Sequence, residues 1–151
     1  MKSVELESNQ IELIKRLVEI TQGRVVFTGS FTDVILGVST KFHDLDFIIE
    51  EKDLFPLKEF GLLRVVNETP LFKQYSRFFI NNKIICLDIF LKNSNYPLDL
   101  KIQSKEFEGI EVKTLTPSSS IQTLRMLIKN DPLNYNVKKL NNRIRKLKTL
   151  L

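Results

Sequence analysis

Cysteine, histidine and tryptophan are almost missing from this 151-residue chain, which has one Cys, one His and no Trp. Cys86, inside Lys83-Ile84-Ile85-Cys86-Leu87, has no second cysteine to pair with and reads as a small buried hydrophobe. With His43 the only imidazole, no zinc-type cluster of Cys and His can be assembled, so any metal here must be bound by oxygen. Glycine and proline are scarce at five each, and 42% hydrophobic residues with eleven Phe argue against disorder. No apolar run approaches the length of a membrane span, and residues 3–10 are largely polar and acidic, which sets cytoplasmic residence as the expectation.

Acidic residues run out before the end. Asp131 is the last of them, and Lys138, Lys139, Arg143, Arg145, Lys146 and Lys148 follow within a chain of net charge +5. That segment suits either contact with nucleic acid, polyphosphate or an acidic partner, or a solvated helix face.

The apolar periodicity predicts one domain built from alternating elements. Asn9 and Glu12 cap a helix with Ile11, Leu13, Ile14, Leu17, Val18 and Ile20 on its apolar side, ended by Gly23. Residues 24–28 form a short buried strand, Gly29-Ser30 the turn out of it, and residues 31–36 a short helix closed by Gly37. Residues 44–50 alternate as a strand with Asp44 and Asp46 on one side. A short helix over 51–60, a strand near 62–66, and two strands over 72–80 and 83–91 joined at Asn81-Asn82 come next. Residues 107–113 suggest a small edge strand, Thr116-Pro117 opens a helix running to about Lys129, and Asp131-Pro132 opens the last one. In that last helix Leu133, Val137, Leu140, Ile144, Leu147 and Leu151 form a seam that either closes over the core or pairs with a second subunit in a homodimer.

Three aspartates in apolar strands, Asp44, Asp46 and Asp88, are the chemical feature of the chain. No basic residue neighbours them in their own strands, and uncompensated buried carboxylates are costly. A divalent cation removes that cost, because Mg²⁺ takes carboxylate and phosphate oxygens together. The backbone N–H groups of a turn that starts a helix can receive phosphate; Gly29 permits close approach there, and the Ser30 hydroxyl adds a donor.

The run Thr28-Gly29-Ser30, then Asp33, Gly37, Thr40-Lys41, His43 and Asp44-Leu45-Asp46, with Asp88 on a later strand, resembles the signature of the DNA polymerase β-type nucleotidyltransferase superfamily. It is similar in particular to small antibiotic nucleotidyltransferases acting on lincosamides and aminoglycosides and to the head domain of tRNA nucleotidyltransferases. The chain departs from that pattern at Thr28, where the first of two glycines is usual, at Thr32, in the spacing of the carboxylates, and in lacking the large tRNA-binding body. The resemblance implies an α+β (α/β) fold, with a mixed sheet of about five strands, helices mainly on one face and a C-terminal helical pair. It divides the chain into a catalytic core over 1–115 and a helical segment over 116–151 that packs on the core or forms a dimer contact. It further implies Mg²⁺ or Mn²⁺ with an NTP as co-substrate and a hydroxyl acceptor, a small molecule first. Asp44, Asp46 and Asp88 would hold metal, and Asp88 would also assist removal of the acceptor's proton. Gly29 and Ser30 would hold the β- and γ-phosphates, with Lys41 and His43 beside them. Asp33 would organise the loop around Lys41 and His43, and Arg125 and Lys129 are further candidates for phosphate contact. Two alternatives stand beside this: transfer to tRNA or protein in a toxin-antitoxin or defence system, and a non-catalytic nucleotide- or RNA-binding module.

Overall fold

Leu13, Ile14 and Leu17 recur at helical spacing and lie on the buried side of α1 (Ser8–Ile20). The computed structural model describes residues 8–42, 45–53, 55–56, 64–68, 73–76, 78–80, 83–85, 87–91, 100–130, 133 and 135–151. Helix α1 ends in a Schellman motif. Gly23 N–H donates to the Val18 carbonyl at 2.9 Å and Gln22 N–H to that of Glu19 at 3.1 Å, with positive φ at both residues.

The chain then forms β1 (Val26–Thr28), α2 (Gly29–Ile35), β2 (Leu45–Ile49) and a 3₁₀ turn, Glu51–Asp53. Fully buried Asp53 bonds Arg24 at the head of β1, with Arg24 Nη2 2.5 Å from Asp53 Oδ1, which ties the two ends of this unit. Next come β3 (Arg64–Glu68), β4 (Lys73–Ser76), β5 (Phe78–Ile80), β6 (Lys83–Ile85), β7 (Leu87–Leu91), β8 (Ile102–Phe107) and β9 (Ile110–Leu115). Helices α3 (Pro117–Asn130) and α4 (Val137–Lys148) follow.

Seven strands pair in the order β3-β4-β7-β2-β1-β9-β8, and β5-β6 form a separate ribbon. The sheet is mixed, since β2 with β7 and β1 with β9 are parallel and the other pairs antiparallel. Among the described residues the strands number nine, more than the expected five or so, for two reasons. The runs on either side of Asn81-Asn82, residues that lie outside the described ones, each supply two strands, so that β5 pairs β6 while β4 pairs β7 in the main sheet. The expected edge strand over 107–113 is in fact a hairpin. Glu108 and Gly109 both take positive φ, 51° and 75°, as a two-residue loop requires, and β9 lies inside the sheet beside β1 with β8 as the edge. The described side chains of the sheet belong to β2, β1, β9 and β8.

One face of these strands presents Phe27, Leu45, Phe47, Ile49 and Val112 to α1 and α2. Phe31 of α2 sits at the centre, edge-on to Phe27 at 5.0 Å and to Phe107 at 5.1 Å, with Phe42 at 4.8 Å. Burial of one such ring contributes about 1.5–3 kcal/mol, and each aromatic pair about 0.5–1.5 kcal/mol more. The other face carries Val26, Ile48 and Leu115.

Thr116 caps α3 as its sequence predicts, accepting from Ser119 N–H at 3.3 Å. The last helix starts later than expected. Asp131 and Pro132 lie outside the described residues, and the cap is Asn136, whose Oδ1 accepts from Lys139 N–H at 3.1 Å. Leu133 is 97% exposed and Leu151 is exposed, so the seam reduces to Leu140, Ile144 and Leu147. It packs within the chain, against Ile121 and Leu124 of α3 and against Leu36 and Val38 just beyond α2. Among the described residues, no helix is long and apolar enough to cross a membrane.

Candidate functional site

The passage from β1 into α2 needs a left-handed residue, and Gly29 supplies it with φ 64°. Its α-carbon faces Asp46: a Cβ built on Gly29 would stand 2.9 Å from Asp46 Cγ and 3.0 Å from Asp46 Cβ. Asp46 belongs to β2, the central strand, on the face opposite Phe47 and the helices, and its Oδ1 is buried. Backbone register aligns three positions across the sheet. Thr28 of β1 is opposite Asp46, and Asp46 is opposite Asp88 of β7. The structure therefore brings Gly29 against Asp46 and places the Asp88 backbone beside it.

Other expected site residues fare differently. His43 and Asp44 lie outside the described residues. Ser30 is half-buried in the first turn of α2, and Thr28 makes no side-chain cap bond there. Lys41 is exposed in a loop held by Ser39, whose Oγ donates to the Lys41 carbonyl at 3.0 Å. Arg125 and Lys129 are exposed on α3. Among the described residues, no group of three His, Cys, Asp or Glu side chains forms a metal cluster.

Asp33 does not organise the Lys41 loop with its carboxylate. Oδ2 accepts from Arg143 Nε at 2.6 Å and Oδ1 from Arg143 Nη2 at 3.4 Å, a two-point contact from α4. Burial pushes the Asp33 carboxyl above the usual carboxylate range, against the opposing pull of the Arg143 hydrogen bond and charge and the charge of Lys146. The loop is organised instead by the Asp33 carbonyl, which accepts from Val38 and Ser39 N–H at 3.0 and 3.2 Å, with Gly37 at φ 81° closing α2 as expected. Arg143 thereby leaves the basic face to which its sequence neighbours belong. The available signal was its spacing: three after Leu140 and four before Leu147, it sits on the apolar seam itself.

A second support went unread in the sequence. Thr32 Oγ1 and Thr114 Oγ1 each lie 3.0 Å from the Phe27 carbonyl oxygen and 2.8 Å from each other, all buried. Two hydroxyls own two protons, so two of the three contacts are donated at once. This fastens α2 to β1 and β9 one turn after Gly29.

No family model matches the chain, and no curated protein matches it by sequence. Solved structures do match by shape. The Thermotoga maritima protein TM1012, a nucleotidyltransferase by assignment, aligns with TM-score 0.66 at 18% identity, over 91% of this chain and 96% of that one. ANT(2″)-Ia in complex with adenylyl-2″-tobramycin aligns with TM-score 0.64 at 16% identity, over 95% of this chain and 90% of that one. An antigenic nucleotidyltransferase-like protein from Paracoccidioides brasiliensis aligns with TM-score 0.56 at 12% identity, over 93% and 74%. The overall fold of the chain is therefore shared with these nucleotidyltransferase structures.

Proposed function

We propose that the chain is a metal-dependent nucleotidyltransferase that moves a nucleoside monophosphate from an NTP to a hydroxyl group of a small molecule. The observation that carries this reading is the contact of Gly29 with Asp46 on the central strand, in register with Asp88. The carboxylates offer hard oxygen donors of the kind Mg²⁺ or Mn²⁺ takes; Asp46 Oδ1 is buried, and the missing Cβ at Gly29 clears the space that the Asp46 carboxylate itself occupies. Asp44, Asp46 and Asp88 would hold the metal, which when bound neutralises charge on the triphosphate and on the departing pyrophosphate.

In this reading the Gly29 and Ser30 backbone and the Ser30 hydroxyl receive the β- and γ-phosphates, and Lys41 and His43 stand by them. The acceptor oxygen bonds to the α-phosphorus while the bond to the pyrophosphate oxygen breaks. The acceptor's proton passes to Asp88 and from there to solvent. Positioning supplies most of the rate enhancement, since phosphoryl chemistry asks for little covalent participation by protein. Residues 1–115 form the catalytic core in this scheme, and 116–151 the helical segment that braces it; cytoplasmic residence goes with it. The small-molecule acceptor is argued from the aminoglycoside adduct in ANT(2″)-Ia, a chain of similar shape.

Purified protein incubated with each α-labelled NTP, Mg²⁺ and a panel of hydroxyl-bearing small molecules should release pyrophosphate and label one class of acceptor. Label appearing only on tRNA or protein would replace the acceptor. NTP held with no turnover across the panel would mark a binding module.

A further inference from the structure

We infer that Arg143 is a positioning residue for the Gly29–Ser30 turn and acts through Asp33. The catalytic meaning of that turn rests on the function proposed above, whereas the mechanical tie is read from the structure and is tested without turnover.

Helix α2 has seven residues, too few to be stable or well aimed by its own hydrogen bonds. Its orientation must come from what holds it. On the sheet side it is held by Phe31 in the aromatic cluster and by the Thr32 and Thr114 hydroxyls on the Phe27 carbonyl. Those contacts hold its inner face to the sheet. Asp33 follows Thr32 directly, about 6 Å along the axis from Gly29 at 1.5 Å per residue, and its carboxylate meets the Arg143 guanidinium at two points. A planar guanidinium bound through Nε and Nη2 fixes direction as well as distance, which a lysine or an apolar contact does not.

The pair is also a poor device for stability alone. The Asp33 side chain is 6% exposed and that of Arg143 18%, so desolvation offsets much of the attraction, and two apolar residues of the same volume would serve the fold as well. What the pair adds is geometry between two elements that carry different parts of the molecule. The same α4 seam touches Leu36 and Val38, so α4 grips α2 at its middle by charge and just past its end by apolar contact. Moving α4 would tilt α2 and shift the backbone of Gly29 against the Asp46 carboxylate.

The experiment compares amide hydrogen exchange in the whole chain for wild type, R143Q, R143K and R24Q. The last breaks the Arg24–Asp53 ion pair by the same chemistry but away from α2. R143Q should speed exchange over residues 29–36 by about tenfold or more relative to R24Q, with β8 and β9 changed by less than about threefold. R143K, which keeps charge without the fork, should recover part of the protection. With Mg²⁺ and NTP present, R143Q should also raise the nucleotide KM by about tenfold, while R24Q leaves it at the wild-type value. Exchange over 29–36 equal in R143Q and R24Q would overturn the inference. A wild-type protein with no turnover would sink the proposed function instead, and the exchange comparison would still decide the tie.

Discussion

Gly29 and Asp46 occupy each other's space: a Cβ on residue 29 would lie 2.9 Å from Asp46 Cγ, with φ already at 64°. Any L-residue at position 29 therefore pays twice, once in backbone conformation and once by moving the carboxylate. G29A should lose about 1–2 kcal/mol from the left-handed backbone alone, a fall in Tm of roughly 2–8 °C for a chain of this size. Thermal unfolding of G29A, D46A and the double variant checks the contact. The double variant should be more stable than the sum of the singles predicts by at least about 0.5 kcal/mol, and simple additivity would show the two residues do not collide.

D46N removes charge and almost no volume. It should fold with a Tm near that of the wild type and lose nucleotide transfer by about two orders of magnitude or more, as expected when several kcal/mol of metal-borne stabilisation is lost. Pyrophosphate release at saturating Mg²⁺ is the measurement, and a wild-type rate in D46N would remove Asp46 from the mechanism.

Removing Arg143 should destabilise the protein in a way that depends on pH. Burial holds the Asp33 pKa above its unfolded value, so the native state binds more protons than the unfolded one between the two values, and stability from this group is lost as pH rises through the folded pKa. R143M takes away the cation that opposes that shift and moves the folded pKa further up. Its cost relative to wild type should be about 3 kcal/mol at pH 8, the low end for breaking a buried pair given the partial exposure of Arg143, and should shrink as acidification protonates Asp33. Denaturant melts of both proteins from pH 8 to pH 5 test this; a gap that widens on acidification contradicts it.

T32V and T114V should each cost about 1 kcal/mol, because either hydroxyl alone still donates to the Phe27 carbonyl. The double variant leaves that carbonyl with neither, and should cost more than the sum by a measurable coupling in a denaturant cycle.

Much of this was legible in the sequence, and the limits follow a rule of distance. The α1 seam, the Thr116 cap, the Gly37 stop and the antiparallel pairing of the strands on either side of residues 81–82 are each specified by residues within a few positions, and they stand as read. Glu108-Gly109 was missed because glutamate seldom takes positive φ, so the dipeptide carries only half of a hairpin signal. The late start of α4 went unseen because Asp131-Pro132 imitates a cap that Asn136 provides. The motif from Gly29 to Asp46 could be recognised as a pattern, but that the glycine exists to clear the carboxylate is a fact of the folded sheet. Arg143, the partner of Asp33, and Thr114, one partner of Thr32, were beyond any local reading, lying 110 and 82 residues away.

Those separations also order events in biosynthesis. At about 5–20 residues per second, a ribosome that has made Asp33 needs roughly 5–20 s more to make Arg143, 110 residues later. From the addition of Asp46 to the end of that interval the nascent chain carries Gly29, Ser30 and Asp46, while the Arg143 contact to Asp33 does not yet exist. The Gly29–Ser30 turn is thus written early, and on the proposed function it would become competent only once the segment bearing Arg143 has been translated and has docked.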